Sequence, residues 1–229
     1  MSLFNDLLNS AARTNDRSPK KRDCVVPANL EAVAKTKMKI HDAAIRLFTT
    51  KGFHGTGIRE IAREAGVSLG NLYNHHKNKE EMFSAIMDRL EAEYLAPGTP
   101  LDKAFDSFSS INDLEELGNS CGEMVEEFGD YIKLIYVDVV ELSGSHIKKI
   151  YESLRERYDA KLGEKLRTMQ SQGKLAQGDP IAAMMVTTIT FFFYFNITRV
   201  FRVGQFFSPS DAGAVAAISS VLREGMRPR

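Results

Sequence analysis

Between residues 56 and 76 the chain gathers side chains suited to gripping a polyanion rather than to making or breaking bonds. Thr56 and Ser68 fall where helix N-termini leave backbone N–H groups unpaired, a setting that holds phosphate oxygens. Gly70 removes a side chain where a ligand backbone could approach closely, while Asn71, Tyr73, Asn74 and His75 are expected to project outward. An asparagine amide pairs bidentately with an adenine edge, and a tyrosine or histidine reaches phosphate. Other chemistries lack their residues. There is no Gly-x-Ser-x-Gly, no phosphate loop and no ligand spacing for a metal, so no catalytic residue and no cofactor is expected. His75 and His76 are adjacent, and adjacent helical residues point different ways. Cys24 and Cys121, the only cysteines, are far apart and suggest a reducing compartment.

The elements that must position these residues are helices, and no strand pair or internal repeat is evident. A first helix is expected from about Lys35 to Thr50, with Ile40, Ala44, Leu47 and Phe48 on one stripe and Gly52 ending it. Thr56 offers an N-cap for a second helix carrying Ile58, Ile61, Ala62 and Ala65. Gly66 closes it, Val67 is the buried turn residue, and Ser68 caps a short third helix with Leu69, Leu72 and Tyr73. Two short helices about a glycine turn form a helix-turn-helix, although such pairs also occur with no nucleic-acid role. Asn78 and Glu81 resemble a capping box for a fourth helix with Phe83, Ile86, Met87, Leu90 and Tyr94 on one face, which Pro97-Gly98 and Pro100 stop. Further helices are expected near 101–111, 113–128, 130–143 and 146–172. Asp179-Pro180 opens one running to about Val203, and Ser208-Pro209 a last one ending near Gly225.

The wording of residues 37–83 is more specific than their periodicity. Ala44 to Phe48 (Ala-x-x-Leu-Phe), Lys51-Gly52-Phe53, Thr56, Ile61 to Ser68, Leu72-Tyr73 and Lys77 to Phe83 follow one another in an order that closely resembles the DNA-binding head of the TetR family of bacterial regulators. The resemblance implies that Thr56, Tyr73 and Lys79 hold the DNA backbone and that Leu69, Gly70, Asn71 and Asn74 lie against base edges. His75-His76 departs from the family's usual Tyr-Phe pair. His75 keeps a reach to phosphate, whereas His76 replaces a packed aromatic and is expected to be a partly buried, satisfied imidazole.

The expected architecture is all-α: an extension over 1–34 with a mobile, polar and basic run, a helix-turn-helix head over 35–79, and a ligand-binding and dimerisation body over 80–229. Charge divides along the same line. Residues 35–79 carry nine basic against three acidic side chains, and residues 91–145 carry two against thirteen. The resemblance further implies a small-molecule effector, enclosed by the middle helices, and a homodimer formed through the last two. Candidate effector-lining residues are Phe105, Phe108, Cys121, Met124, Phe128, Tyr131, Tyr136 and Tyr151, although for any one of them ordinary core packing is the stronger reading. Phe193, Ile197 and Val200 are the candidate dimer contacts, on a segment apolar almost all round. Glu123, Glu126, Glu127, Asp138 and Glu141 are expected in solvent, and an inward-facing one would favour a cationic ligand. Residues 181–201 could span a membrane only by burying four threonines, Asn196 and Arg199, so no membrane is expected. The first residues lack the uninterrupted apolar run of a signal peptide, and a cytoplasmic protein is expected. The readings to be separated are a DNA-binding regulator released from its operator by an apolar or amphipathic effector, a small-molecule enzyme, and a membrane-associated interaction protein.

Overall fold

The computed structural model describes residues 28–204 and 207–228. The expectations for residues 1–27, the polar and basic run among them, lie outside the described residues. Among the described residues, those from Thr36 onward form one compact unit. All regular elements among the described residues are helical.

Helix α1 spans Ala28–Lys51 and starts well ahead of the expected Lys35. The run from Ala28 to Ala34 contains no Gly or Pro and carries Glu31 in the first turn, so nothing in it opposes a helix. Helices α2 (Ile58–Ala65) and α3 (Leu69–His75) meet at Gly66, whose φ of 68° is the left-handed conformation the turn needs. Helix α4 (Lys79–Tyr94) then leads into the body. Asn78 caps it by accepting from the Glu81 N–H, but Glu81 reaches back to the Lys77 N–H rather than to that of Asn78.

The body contains α5 (Pro100–Ser107), a 3₁₀ turn (Ile111–Asp113), α6 (Leu114–Glu127), α7 (Gly129–Glu141), α8 (Ser145–Ser171), α9 (Pro180–Phe195) and α10 (Asp211–Met226). Helix α5 stops at Ser107, short of residue 111, because Ser109 and Ser110 turn the chain and bind Asp113 from their backbone N–H groups. The expected helix to Val203 ends its α-helical part at Phe195 and continues as a π-turn, Asn196–Val200. The last helix is capped by Ser210 rather than Ser208, through the Gly213 N–H.

Helix α9 runs through the middle of the body and packs on α6 and α8. Its contact with α6 is close because Gly118 and Gly122 lie one turn apart on α6. A Cβ on Gly118 would stand 2.7 Å from the Phe191 ring, and one on Gly122 2.8 Å from the Phe195 ring. The threonines of α9 spend their hydroxyls on the helix itself, Thr187 on Ala183 O, Thr188 on Met184 O and Thr190 on Val186 O. The segment Pro180–Val200 is long and apolar enough to cross a membrane, a measure that a soluble protein's core helix also meets. One apolar cluster joins Ile40, Phe48, Ile61, Leu72 and Phe83 to Met124, Phe128 and Tyr131, so head and body share a core.

Candidate nucleic-acid interface

The helix-turn-helix is locked from beneath. Ile61, Ala62 and Leu72 are buried, and Ile58, Val67 and Leu69 pack partly buried against the same cluster. Val67 is therefore half-buried rather than buried. Ser68 caps α3 as expected, its Oγ accepting from the Asn71 N–H at 3.1 Å. On the outer face Gly70, Asn71, Tyr73 and Asn74 are exposed, with Leu69 and His75 half-buried beside them. A side chain at Gly70 would meet open space, so packing within the protein does not require a glycine there. Arg59, Arg63 and Lys77, which the sequence reading did not single out, are exposed on the same head.

Two residues expected at phosphates are engaged inside the protein. Thr56 is buried, and its hydroxyl donates to Gly52 O at 2.7 Å; the N-cap of α2 is Gly57, with no side-chain cap. The Lys79 ammonium donates to Phe53 O at 2.6 Å and Thr56 O at 2.9 Å and lies 4.3 Å above the centre of the Phe53 ring. Carbonyls of a tight turn and an aromatic face compete well for a cation at the start of α4. Both residues thus shape the 52–56 turn. A third holds it from the body: Glu141 accepts from the Phe53 and His54 N–H groups, an approach that Gly52 permits with a φ of 77°.

His76 is more deeply placed than expected. It is buried, and its Nε2 lies 3.0 Å from Nε2 of buried His41 on α1. The Nδ1 atoms of both rings are buried without a partner, so His76 is only half satisfied. Burial and the neighbouring charges hold His41 down to about 3, and burial, followed by Lys37, lowers His76.

The effector candidates do not share one chamber. Phe105 and Phe108 pack with Tyr158, Leu162 and Met169. Met124, Phe128 and Tyr131 belong to the cluster shared with the head, where the Tyr94 ring stands 5.3 Å from Phe128 and 5.6 Å from Tyr131. Cys121 packs with Phe191 and Phe195, and burial pushes its thiol up. Tyr136 and Tyr151 are exposed, Tyr136 tilted against the Phe201 ring. A surface groove of about 540 Å³ between α8 and the end of α5 includes only Phe108 of the eight.

Of the acids, Glu123, Glu126 and Glu127 are exposed as expected. Asp138 is fully buried and Glu141 half-buried, which departs from the expectation of solvent. Neither invites a cation. Asp138 accepts from the His146 and Ile147 N–H groups and lies 2.9 Å from His146 Nδ1, whose Nε2 faces Ser84 on α4. On α9, Phe193 is 59% exposed, with Val186 and Ile189 exposed on the same helix, while Ile197 and Val200 are half-buried.

Comparison with known proteins agrees with this geometry. The sequence model for bacterial regulatory proteins of the tetR family matches residues 40–86, the span from mid-α1 into α4. The HTH-type transcriptional regulator AcrR of Shigella flexneri is 42% identical over 76 residues, which cover 29% of this chain and 35% of AcrR. The HTH-type transcriptional regulator RutR of Escherichia coli O157:H7 is 26% identical over 207 residues, covering 86% of this chain and 93% of RutR. A tetR-family regulatory protein from Rhodococcus RHA1 shares the fold with a TM-score of 0.62 at 20% identity, over 84% of this chain and 97% of its own. The tetR-family regulator PfmR of Thermus thermophilus does so with a TM-score of 0.59 at 22% identity, over 81% and 97%. Residues 40–86 thus match the tetR-family model, and the all-helical body behind them shares the fold of tetR-family regulators.

Proposed function

We propose that the protein is a cytoplasmic repressor that binds a palindromic operator as a homodimer and leaves it when a small apolar or amphipathic effector occupies the body. The observation that carries the DNA-binding half is the outer face of α3. Asn71, Tyr73 and Asn74 stand exposed on a helix whose inner residue, Leu72, is completely buried, so a rigid reading surface faces outward. In this reading Asn71 and Asn74 read bases with Leu69 and Gly70 beside them, and Tyr73, His75 and Ser68 meet phosphates. Thr56 and Lys79 act on DNA through the turn they hold. The dimer half is supported by Val186, Ile189 and Phe193, an apolar face on α9, with Val221 75% exposed on α10. The effector half rests on the aromatic clusters of the body, in which Tyr94, Phe128, Tyr131 and Met124 lie in the same core as the head. A ligand that reshapes that core would move the head with it.

Selection of duplexes from a random-sequence pool tests the first part. The expected product is a two-fold symmetric sequence whose half-sites lie about one helical turn apart, roughly 34–36 Å. An asymmetric consensus, or none, ends this reading. For the dimer, Phe193→Glu with Ile197→Glu should yield monomer or aggregate in sedimentation, and a soluble, unchanged dimer removes this interface. A small molecule found to bind the body must lower operator affinity by the same factor by which operator lowers its own. One that binds tightly and leaves operator affinity untouched ends the release mechanism alone.

A further inference from the structure

We propose that His41 and His76 are positioning residues for the recognition helix, and that their buried contact makes operator binding weaken in acid. The inference rests on the reading of α3 as the DNA-contacting helix. His76 is the residue that ends α3, its N–H closing the last turn on Leu72 O, and its ring is buried against α1. His41 receives it from α1, thirty-five residues earlier, with the ring centres 5.0 Å apart. The C-terminal end of a seven-residue helix is therefore fixed by one imidazole–imidazole bond together with the Leu72 anchor beside it.

That bond needs a neutral acceptor ring, and burial disfavours a charged donor ring as well. One Nε2–H donates and the other Nε2 accepts, so the accepting ring carries its hydrogen on Nδ1 and the donating ring has a bare Nδ1. Neither Nδ1 has a partner. A proton on the accepting Nε2 would set two N–H groups head to head. A proton on the bare Nδ1 would place a buried charge with no acceptor. The surroundings make both worse: Lys37 on α1 faces both rings, Arg89 on α4 faces His41, and His75 on α3 faces both, while Glu81 on α4, facing His76, is the one opposing charge among them.

The folded pair therefore stays neutral while an opened pair takes up protons below the ordinary histidine value of 6.5. The stability the contact supplies is complete above that value and is lost as pH falls beneath it. For His41 alone the opening equilibrium shifts roughly 30-fold toward the open form between pH 8 and pH 5, with His76 adding in the same direction. An added positive charge beside phosphate works the other way and strengthens binding. Lost affinity in acid therefore distinguishes the buried pair from an ordinary surface histidine.

The test uses the full-length protein and the duplex it selects from a random pool at pH 8. Wild-type affinity should fall measurably between pH 8 and pH 5, by no more than the shift in the opening equilibrium. In His41→Gln with His76→Phe, where nothing in the pocket titrates, affinity should hold steady or rise over the same range. Superimposable profiles overturn the proposal. Should that variant fold poorly, histidine ring resonances of the wild type decide. Two of the five imidazoles should titrate below the ordinary histidine range, and the absence of such a pair overturns the proposal just as surely. If no duplex is selected at pH 8, the reading of α3 fails instead, and the ring titrations still decide whether the pair excludes protons.

Discussion

Head and body are built from the same material, apolar stripes on helices, yet they translate sequence into position differently. In the head each residue has one neighbourhood: Gly66 turns, Ser68 caps, Leu72 anchors, and Asn71 and Tyr73 are left outside. In the body eight aromatic and sulfur-bearing side chains of similar character disperse into three apolar clusters and an exposed patch. The head's contacts are mostly local and follow from turn and cap chemistry. The body's are set by which helix passes close to which, and that depends on pairs such as Gly118 with Phe191, distant in sequence. A head is therefore readable from a short block of sequence, and a ligand site is not.

The largest effect is expected from a lesion in the body. Phe191 is fully buried and fills the space that Gly118 leaves, so Phe191→Ala should cost about 3–5 kcal/mol. Because Met124, Phe128 and Tyr131 lie in the same cluster as Phe48 and Leu72, head and body should still unfold together. Far-UV circular dichroism and operator binding, followed through one denaturant titration, should give coincident midpoints. Two separate transitions would break the picture of a shared core.

A smaller loss is expected at Asp138, which holds the α7–α8 corner through the backbone N–H groups of His146 and Ile147. Asp138→Ala leaves both half-buried donors without a protein partner and should cost about 1–3 kcal/mol in urea unfolding. A change indistinguishable from zero would mean that water replaces the carboxylate. This corner also marks the limit of legibility. A carboxylate on a helix reads as solvated, and nothing in the sequence announces that Glu141 closes on a turn eighty-eight residues earlier. Lys79 misleads for the same reason: a lysine opening a helix reads as available to a phosphate until the carbonyls of Phe53 and Thr56 are seen beside it. His76 is legible as a departure from an aromatic position, but its partner His41 is not, since a histidine among Ile40, Ala43 and Ala44 looks like the polar edge of a stripe. The fold class, the helix-turn-helix and most caps are legible because glycine, proline and hydroxyl chemistry act within a few residues.

Within the head, Asn71 separates reading from gripping. Asn71→Ala should remove about 1–3 kcal/mol of discrimination at one base pair of each half-site while the protein's stability stays near wild type. The check is a panel of single-substitution operators, and an unchanged ranking would take the base-reading role from this residue.

Ser68 sharpens the same contrast from the opposite side and should give the smallest effect. Its Oγ accepts from the Asn71 N–H, so Ser68→Ala frees one donor at the start of a helix only seven residues long. A lost cap costs about 1 kcal/mol, and in a helix this short the cost falls on the population of the ordered α3 rather than on the fold. Affinity should therefore fall by no more than about five-fold for every sequence alike, because an N-cap carries no base information. The N-cap at Asn78 is the internal control: it accepts from the Glu81 N–H in the same way but opens the much longer α4. Asn78→Ala should lower the unfolding midpoint by a similar free energy and leave operator ranking and affinity close to wild type. If Ser68→Ala instead reorders the operator panel, its hydroxyl reaches a base edge as well as the helix end, and the line between the gripping and reading residues of α3 has to be redrawn through residue 68.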